Sequence, residues 1–269
     1  MPKYSIYSGV IFYSGVISIS PIEERIAAIA EAGFDAVCLD FEKELEKTET
    51  SWENQMKLAQ KYALPVENVH LSAKGMNAVW KKGEEGDAMI GRLMNELRDM
   101  SSLGVKTGVA HITWGHGFPE GSFEVGLERY KKAVETAEKY GVVLALENSV
   151  YAQHVHYLLE NIKSPNLGFC YDSGHENAYT PNEDYLSKYG DILVAMHLHD
   201  NDGKNDNHFL PLHPMGTVNW QKKLALLKNT ELFGRMITLE AGFEGENLLE
   251  GFSDALAKAK LLFEIANCQ

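Results

Sequence analysis

The sequence lacks the paired cysteines of a disulfide framework. Its three cysteines, Cys38, Cys170 and Cys268, are odd in number and share no short spacing, which suits a reducing compartment. The apolar runs around Cys38 and Cys170 mark those two as small buried hydrophobes. A basic patch is also missing: 25 Lys and Arg stand against 38 Asp and Glu, a net charge of −13. Nucleic-acid affinity comes largely from neutralised phosphates, so this balance argues against DNA, RNA and anionic membranes as partners. No apolar run approaches the ~20 residues that cross a bilayer, and Met1 to Val16 holds no continuous apolar segment of the secretory type. These absences point to a cytoplasmic protein. No Gly-x-Gly-x-x-Gly follows the first apolar stretch, so the usual mark of dinucleotide binding is absent too.

What is present is a regular alternation. The chain has 269 residues, 45% hydrophobic and 23% charged, a length and composition typical of one α/β barrel. Strands are predicted within Val10–Ile19 and at Phe34–Leu39, Val66–Leu71, Val105–Ile112, Val142–Leu146, Asn166–Tyr171, Ile192–Leu198 and Met236–Leu239. Helices are predicted from Ser20 to near Gly33 and at Ser51–Tyr62, Gly86–Leu103, Glu124–Tyr140, Tyr151–Ile162, Asn219–Lys228 and Glu246–Ala266, with one more opening at Thr180. Ser20-Pro21-Ile22-Glu23 and Thr180-Pro181-Asn182-Glu183 read as capping boxes. Gly141 reads as a helix stop. Eight strand–helix pairs with no linker or repeat between them imply a parallel sheet. In this length they favour a single (β/α)₈ TIM barrel over residues 1–269.

The polar residues fall at one end of these strands. The third ends in His70, the fourth in His111, the fifth in Glu147 and the sixth in Asp172, with His175 close behind; the seventh ends in His199 and the eighth in Glu240. A closed parallel barrel brings such ends to one mouth, where the active sites of this fold lie. Ionisable groups crowded at the end of an apolar core pair, change protonation or bind metal. Carboxylates would repel one another without a cation, and imidazoles among them serve as neutral nitrogen ligands. Mixed oxygen and nitrogen ligation suits Mn²⁺, Zn²⁺, Co²⁺ or Fe²⁺ better than Ca²⁺. The polar loop Asn201–Gly216 carries Asp206 and His208, which complete a second metal position if they turn toward His70, His111 or His175. His197 shares a strand face with His199 and is placed one layer deeper. His154 and His156 read as surface or packing residues, His116 and His213 stay undecided, and the run Glu42, Glu44, Glu46 with Lys43 and Lys47 reads as a solvated surface.

Leu146-Glu147-Asn148, Asp172-Ser173-Gly174-His175, His197-Leu198-His199-Asp200-Asn201-Asp202, Asp206-Asn207-His208 with Pro214-Met215-Gly216 and Trp220, and Leu239-Glu240 together resemble the xylose-isomerase-like barrel superfamily. The resemblance lies toward its sugar (phosphate) isomerase/epimerase branch. It implies one divalent metal (Mn²⁺, Zn²⁺, Co²⁺ or Mg²⁺) on Glu147, Asp172, His199 and Glu240. It makes Glu147 and Glu240 the acid/base pair and puts His175 on substrate. Ketose epimerases of that branch hold the sugar with an Arg in the strand-seven loop, where this chain offers Lys204 and no Arg. The apurinic-site endonucleases of the same superfamily carry three zinc ions, and their ligand pattern matches His70, His111, Glu147, Asp172, His175, His199, Asp206, His208 and Glu240.

The reading that follows is a metal-dependent isomerase or epimerase acting on a small sugar, sugar phosphate or sugar acid by proton transfer through an enediolate. Trp114 and Trp80 are placed to stack on a sugar or to pack internally. The alternative is a multinuclear zinc hydrolase or phosphodiesterase of the apurinic endonuclease type, with metal content as the discriminator. The partner implied is a small carbohydrate, and a homo-oligomer stays open.

Overall fold

The computed structural model describes residues 1–8, 20–41, 51–243 and 247–268. Its strands are β1 (Lys3–Tyr7), β2 (Ala36–Asp40), β3 (Val66–His70), β4 (Thr107–His111), β5 (Val143–Glu147), β6 (Leu167–Asp172), β7 (Leu193–His197) and β8 (Met236–Leu239). They form one parallel sheet in the order β7-β6-β5-β4-β3-β2-β1-β8. Closure comes just past the strand ends, where Leu198 N–H donates to Thr238 O (3.0 Å) and Glu240 N–H to Leu198 O (3.3 Å). The result is a nearly closed TIM barrel.

The helices are α1 (Ile22–Ala32), α2 (Trp52–Lys61), α3 (Glu84–Ser102), α4 (Phe123–Tyr140), α5 (Ala152–Asn161), α6 (Ser173–Tyr179), α7 (Tyr185–Tyr189), α8 (Trp220–Leu227), α9 (Glu231–Arg235) and α10 (Leu248–Asn267), with a 3₁₀ turn at Met76–Trp80. Alternate strand residues face opposite ways. Ile6, Val37, Leu39, Val69, Leu146, Phe169 and Leu239 pack outward under the helices. Val109, Ala145, Cys170 and Ala195 form a separate, narrower cluster. Small residues there leave the barrel interior room for polar groups above them.

Three local expectations change. The first strand is Lys3–Tyr7 rather than a piece of Val10–Ile19, and residues 9–19 lie outside the described residues. Lys3–Tyr7 pairs with both β2 and β8, whereas Ser14 and Gly15 interrupt the more apolar run. Neither capping box forms. α1 caps at Pro21 with no side-chain cap bond, because the Glu23 carboxylate is taken by Lys61 and Tyr62. Thr180–Glu183 is a turn, and α7 begins after Asp184, whose carboxylate accepts from Ser187 N–H (3.3 Å). There Glu183 is held by His156 (2.9 Å) and Lys188 (3.3 Å). Gly141 does end α4 in the left-handed conformation, at φ 63°. The acidic run 42–47 lies outside the described residues.

Candidate metal centre

The strand ends deliver their polar residues to one point. His111 pairs in register with Glu147, and Asp172 with His197. Glu147 is fully buried and central: its Oε2 lies 3.1 Å from His111 Nε2 and 3.5 Å from His70 Nε2. Its Oε1 lies 3.1 Å from His197 Nδ1 and 3.4 Å from His175 Nδ1. Glu240 comes in from β8, its Oε2 2.8 Å from His197 Nδ1. One imidazole nitrogen thus reaches both glutamates. Strand periodicity predicts His197 one layer deeper; the structure puts it among the acids.

His199 stands slightly apart. Its Nε2 lies 3.0 Å from Asp172 Oδ1 and 3.1 Å from Oδ2, and its ring stacks on His208 at 4.0 Å. Asp206 Oδ2 takes His175 Nε2 (3.1 Å) and His208 Nε2 (3.2 Å). All nine residues singled out as ligands therefore meet, as an inner group on the strand ends and an outer group around Asp206. Potential ligand atoms lie within 4.8 Å of one another in Glu147/Asp172/His197/Glu240, in His70/His111/Glu147 and in His199/Asp206/His208.

Three details fit this donor set to a divalent cation. First, His70, His175 and His208 each place Nδ1 at a backbone carbonyl, of Leu71 (3.0 Å), Asn148 (3.0 Å) and Glu240 (2.8 Å). A carbonyl only accepts, so Nδ1 carries the proton and Nε2 is left to face the acids, as metal-binding histidines are commonly oriented. Second, His197 Nε2, His199 Nδ1 and Asp206 Oδ1 are buried without a hydrogen-bond partner, which costs free energy unless something binds them. Third, the site gathers positive charge in the only form its own residues offer, protons. Burial works to lower the His70 and His208 imidazoles, yet Glu147 for the one and Asp206 for the other hold them at about 9. Burial likewise pushes Glu240 up, and His197 and His208 outweigh it and keep the carboxyl ionised. A bound cation would take the place of those protons, so binding should release them.

The backbone around the site is fixed by residues that composition did not single out. Asp172 caps α6, accepting from His175 N–H (2.6 Å), so this acid both faces the cluster and starts a helix. Asn148 accepts from Asp172 N–H and donates to its carbonyl, both at 2.8 Å, tying β5 to β6. Ser173 Oγ bonds the backbone of His199. A Cβ on Gly174 would sit 1.9 Å from His199 Cε1, so the Asp-Ser-Gly-His run needs glycine for the imidazole to fit. In the β7–α8 loop, Asp200 accepts from Asn201 N–H (2.9 Å), Val218 N–H (3.0 Å) and Trp220 Nε1–H (2.7 Å). Gly216 allows that carboxylate to approach. This scaffold holds Asp206 and His208, the latter at φ 50°. Asp200, Gly216 and Trp220 stand among the motifs that carry the family resemblance, but their contact with one another is a product of the fold.

The remaining sequence candidates separate. Lys204 is exposed on the turn, where its N–H donates to Asp202 Oδ1 (2.9 Å); among the described residues no ion pair joins its ammonium to the cluster. Trp114 is 43% exposed on a loop clamped by Asn77, which bonds both its N–H and its carbonyl at 2.8 Å. Trp80 is buried packing, its Nε1–H on Ile112 O (2.9 Å). His154 is buried among Trp80, Phe118 and Phe123. His156 packs on Tyr185 and bonds Tyr189 and Glu183. His116 lies against Tyr179 and His213 stacks on Phe209 at 4.3 Å. Among the described residues no helix is long and apolar enough to cross a membrane.

The family model for the xylose isomerase-like TIM barrel matches residues 26–260, and the chain belongs to that family. Over 98% of both chains it superposes on a D-tagatose 3-epimerase-like protein (TM-score 0.74, 22% identity). It covers 99% of its own length and 96% of the other in matching an L-ribulose 3-epimerase (TM-score 0.76, 17% identity). A 3-keto-D-glucoside 4-epimerase of E. coli matches over 97% of this chain and 100% of that one (TM-score 0.69, 17% identity). At these identities the likeness is one of fold. Among curated sequences, the uncharacterized protein MJ1311 of Methanocaldococcus jannaschii is 28% identical over 49% of this chain. The uncharacterized protein y4fM of Sinorhizobium fredii is 37% identical over 29% of it. The matches span 45% and 27% of those two relatives' lengths.

Proposed function

We propose that this member of the xylose isomerase-like TIM barrel family is a metal-dependent isomerase or epimerase of a small sugar, sugar phosphate or sugar acid. One observation carries the reading: Glu147 and Glu240, from separate strands, bring carboxylate oxygens within 4.8 Å of one another in a single group with Asp172 and His197. When bound there, a divalent cation such as Mn²⁺, Zn²⁺, Co²⁺ or Mg²⁺ supplies a Lewis acid that polarises a carbonyl and its neighbouring hydroxyl. Glu147, Asp172, Glu240 and a nitrogen of His197 or His199 would hold it. One of the two glutamates removes the proton from the carbon between those oxygens, and the other returns one; each such transfer contributes roughly 10²–10⁴-fold. His175, close to both Glu147 and Asp206, orients the sugar hydroxyls. Trp114, held out by Asn77, offers an apolar face to the ring. Lys204, exposed on its turn, is left to the rim of the substrate site. The names of the superposed epimerases support the substrate class.

The test is solvent exchange. A screen of ketoses and keto acids in D₂O identifies a substrate that incorporates deuterium at one carbon. Glu240→Gln, metal-loaded, is expected to lose that incorporation by at least about 10²-fold, in line with loss of one proton-transfer group. Undiminished exchange contradicts the role. The second reading, metal-assisted phosphoester hydrolysis, is favoured by the outer His199/Asp206/His208 group and by His70/His111/Glu147, which would hold cations beyond one. Two or three Zn²⁺ per chain with cleavage of a phosphodiester would select it.

A further inference from the structure

Beside Glu147, the barrel interior holds a sulfur. Cys170 on β6 faces inward with Val109, Ala145 and Ala195, and its backbone is the register partner of Glu147. Cys170, His197 and Glu147 each offer one ligand atom within 4.8 Å of the others, and all three are fully buried. A cation with metal–nitrogen and metal–sulfur bonds of about 2.0–2.3 Å would draw these atoms inside that limit, to at most about 4.3 Å apart. His197 Nε2 is buried with no hydrogen-bond partner, so one polar atom of the three residues is left for something to bind. A cysteine that only filled space beside small apolar residues would account for the packing but not for that nitrogen.

We propose that Cys170, His197 and Glu147 form a sulfur-containing cation position in the barrel interior, on the Cys170 side of the carboxylate group. It takes borderline-to-soft ions such as Zn²⁺ and Cd²⁺ in preference to Mg²⁺ or Mn²⁺. Thiolate ligation sets that preference, while oxygen-rich donors suit the harder ions. On binding, Cys170 gives up its thiol proton to solvent and its sulfur donates a lone pair to the metal, with no change of oxidation state. Glu147 and His197 belong to both groups, so a soft ion at the sulfur competes with a hard ion among the carboxylates. The proposal concerns binding and stands whether or not the protein epimerises sugars.

The experiment is a Cd²⁺ titration of the metal-stripped full chain carrying Cys268→Ala, which removes the exposed thiol. The expected result is an ultraviolet thiolate-to-cadmium charge-transfer band saturating at one thiolate per chain. That band persists in the added Cys38→Ala variant, disappears in Cys170→Ala, and is not displaced by a tenfold excess of Mg²⁺. Absence of the band, or its survival without Cys170, overturns the proposal. If Cys170→Ala does not fold, X-ray absorption on the Cd²⁺-loaded Cys268→Ala protein decides. One sulfur scatterer with nitrogen and oxygen supports the position, and a shell of nitrogen and oxygen alone overturns it. Cd²⁺ bound only by the oxygen and nitrogen ligands of the carboxylate group gives no sulfur band, so the two sites are read separately.

Discussion

The inner and outer groups use the same residue types and are built differently. Glu147, Asp172, His197 and Glu240 stand at strand ends whose neighbours are fixed by the barrel's hydrogen bonds, and all four are buried. The outer group depends on a loop: Asp206, with a side chain 24% exposed, is positioned only as well as residues 200–220 are held. Side chains on rigid elements are placed more precisely than those on loops, which need a supporting shell. Here that shell is Asp200 with Trp220, Asn201 with Asn177 (2.8 Å), and His208 Nδ1–H on Glu240 O.

This contrast can be broken from either side. Trp220→Phe removes the indole N–H from the Asp200 carboxylate and leaves a buried charge short of one donor. A hydrogen bond to a charged group contributes about 1.5–3 kcal/mol, so the denaturant midpoint should fall accordingly. Supporting-shell losses typically cost 10–100-fold in metal affinity. The expected outcome is that range for any cation held by His199, Asp206 and His208, with affinity at Glu147 and Glu240 unchanged. Equal losses at both would show one rigid unit rather than two.

A smaller effect lies away from both groups. His154 is buried among Trp80, Phe118 and Phe123, and burial alone lowers its imidazole to about 4. It is neutral in the fold and gains a proton on unfolding at mildly acid pH. Its contribution is therefore fully present above pH 6.5 and is lost as pH falls from 6.5 toward 4. The slope is at most about 1.4 kcal/mol per pH unit for one proton. Metal-free His154→Phe should show a flatter acid limb in its stability profile; an unchanged limb would assign the sensitivity to the site imidazoles instead.

Much of this was legible in the sequence because the barrel converts strand ends into neighbours. Glu147, Asp172 and Glu240 each close a short apolar run, and Met236–Leu239 is the eighth strand at the bounds read from its pattern. What was not legible depended on distant partners. Glu23 and Glu183 have the spacing of capping residues but are claimed by Lys61 and by His156 with Lys188. Strand periodicity puts His197 and His199 on one face without saying which reaches the acids. The structure gives His197 Nδ1 to Glu147 and Glu240, and His199 Nε2 to Asp172. The caps, the Gly174 cradle and the Asp200 scaffold are backbone features that show only once the chain is folded.

The account rests on a cation at the convergence of Glu147, Asp172, Glu240 and the imidazoles facing them. Crystals of the metal-stripped protein soaked in Mn²⁺, with anomalous scattering recorded at the manganese edge, test this most directly. The account predicts a peak at metal–ligand distance from Glu147, Asp172 and Glu240 together, lost in Glu147→Ala. A map with no peak there, or a peak that survives loss of Glu147, would contradict it.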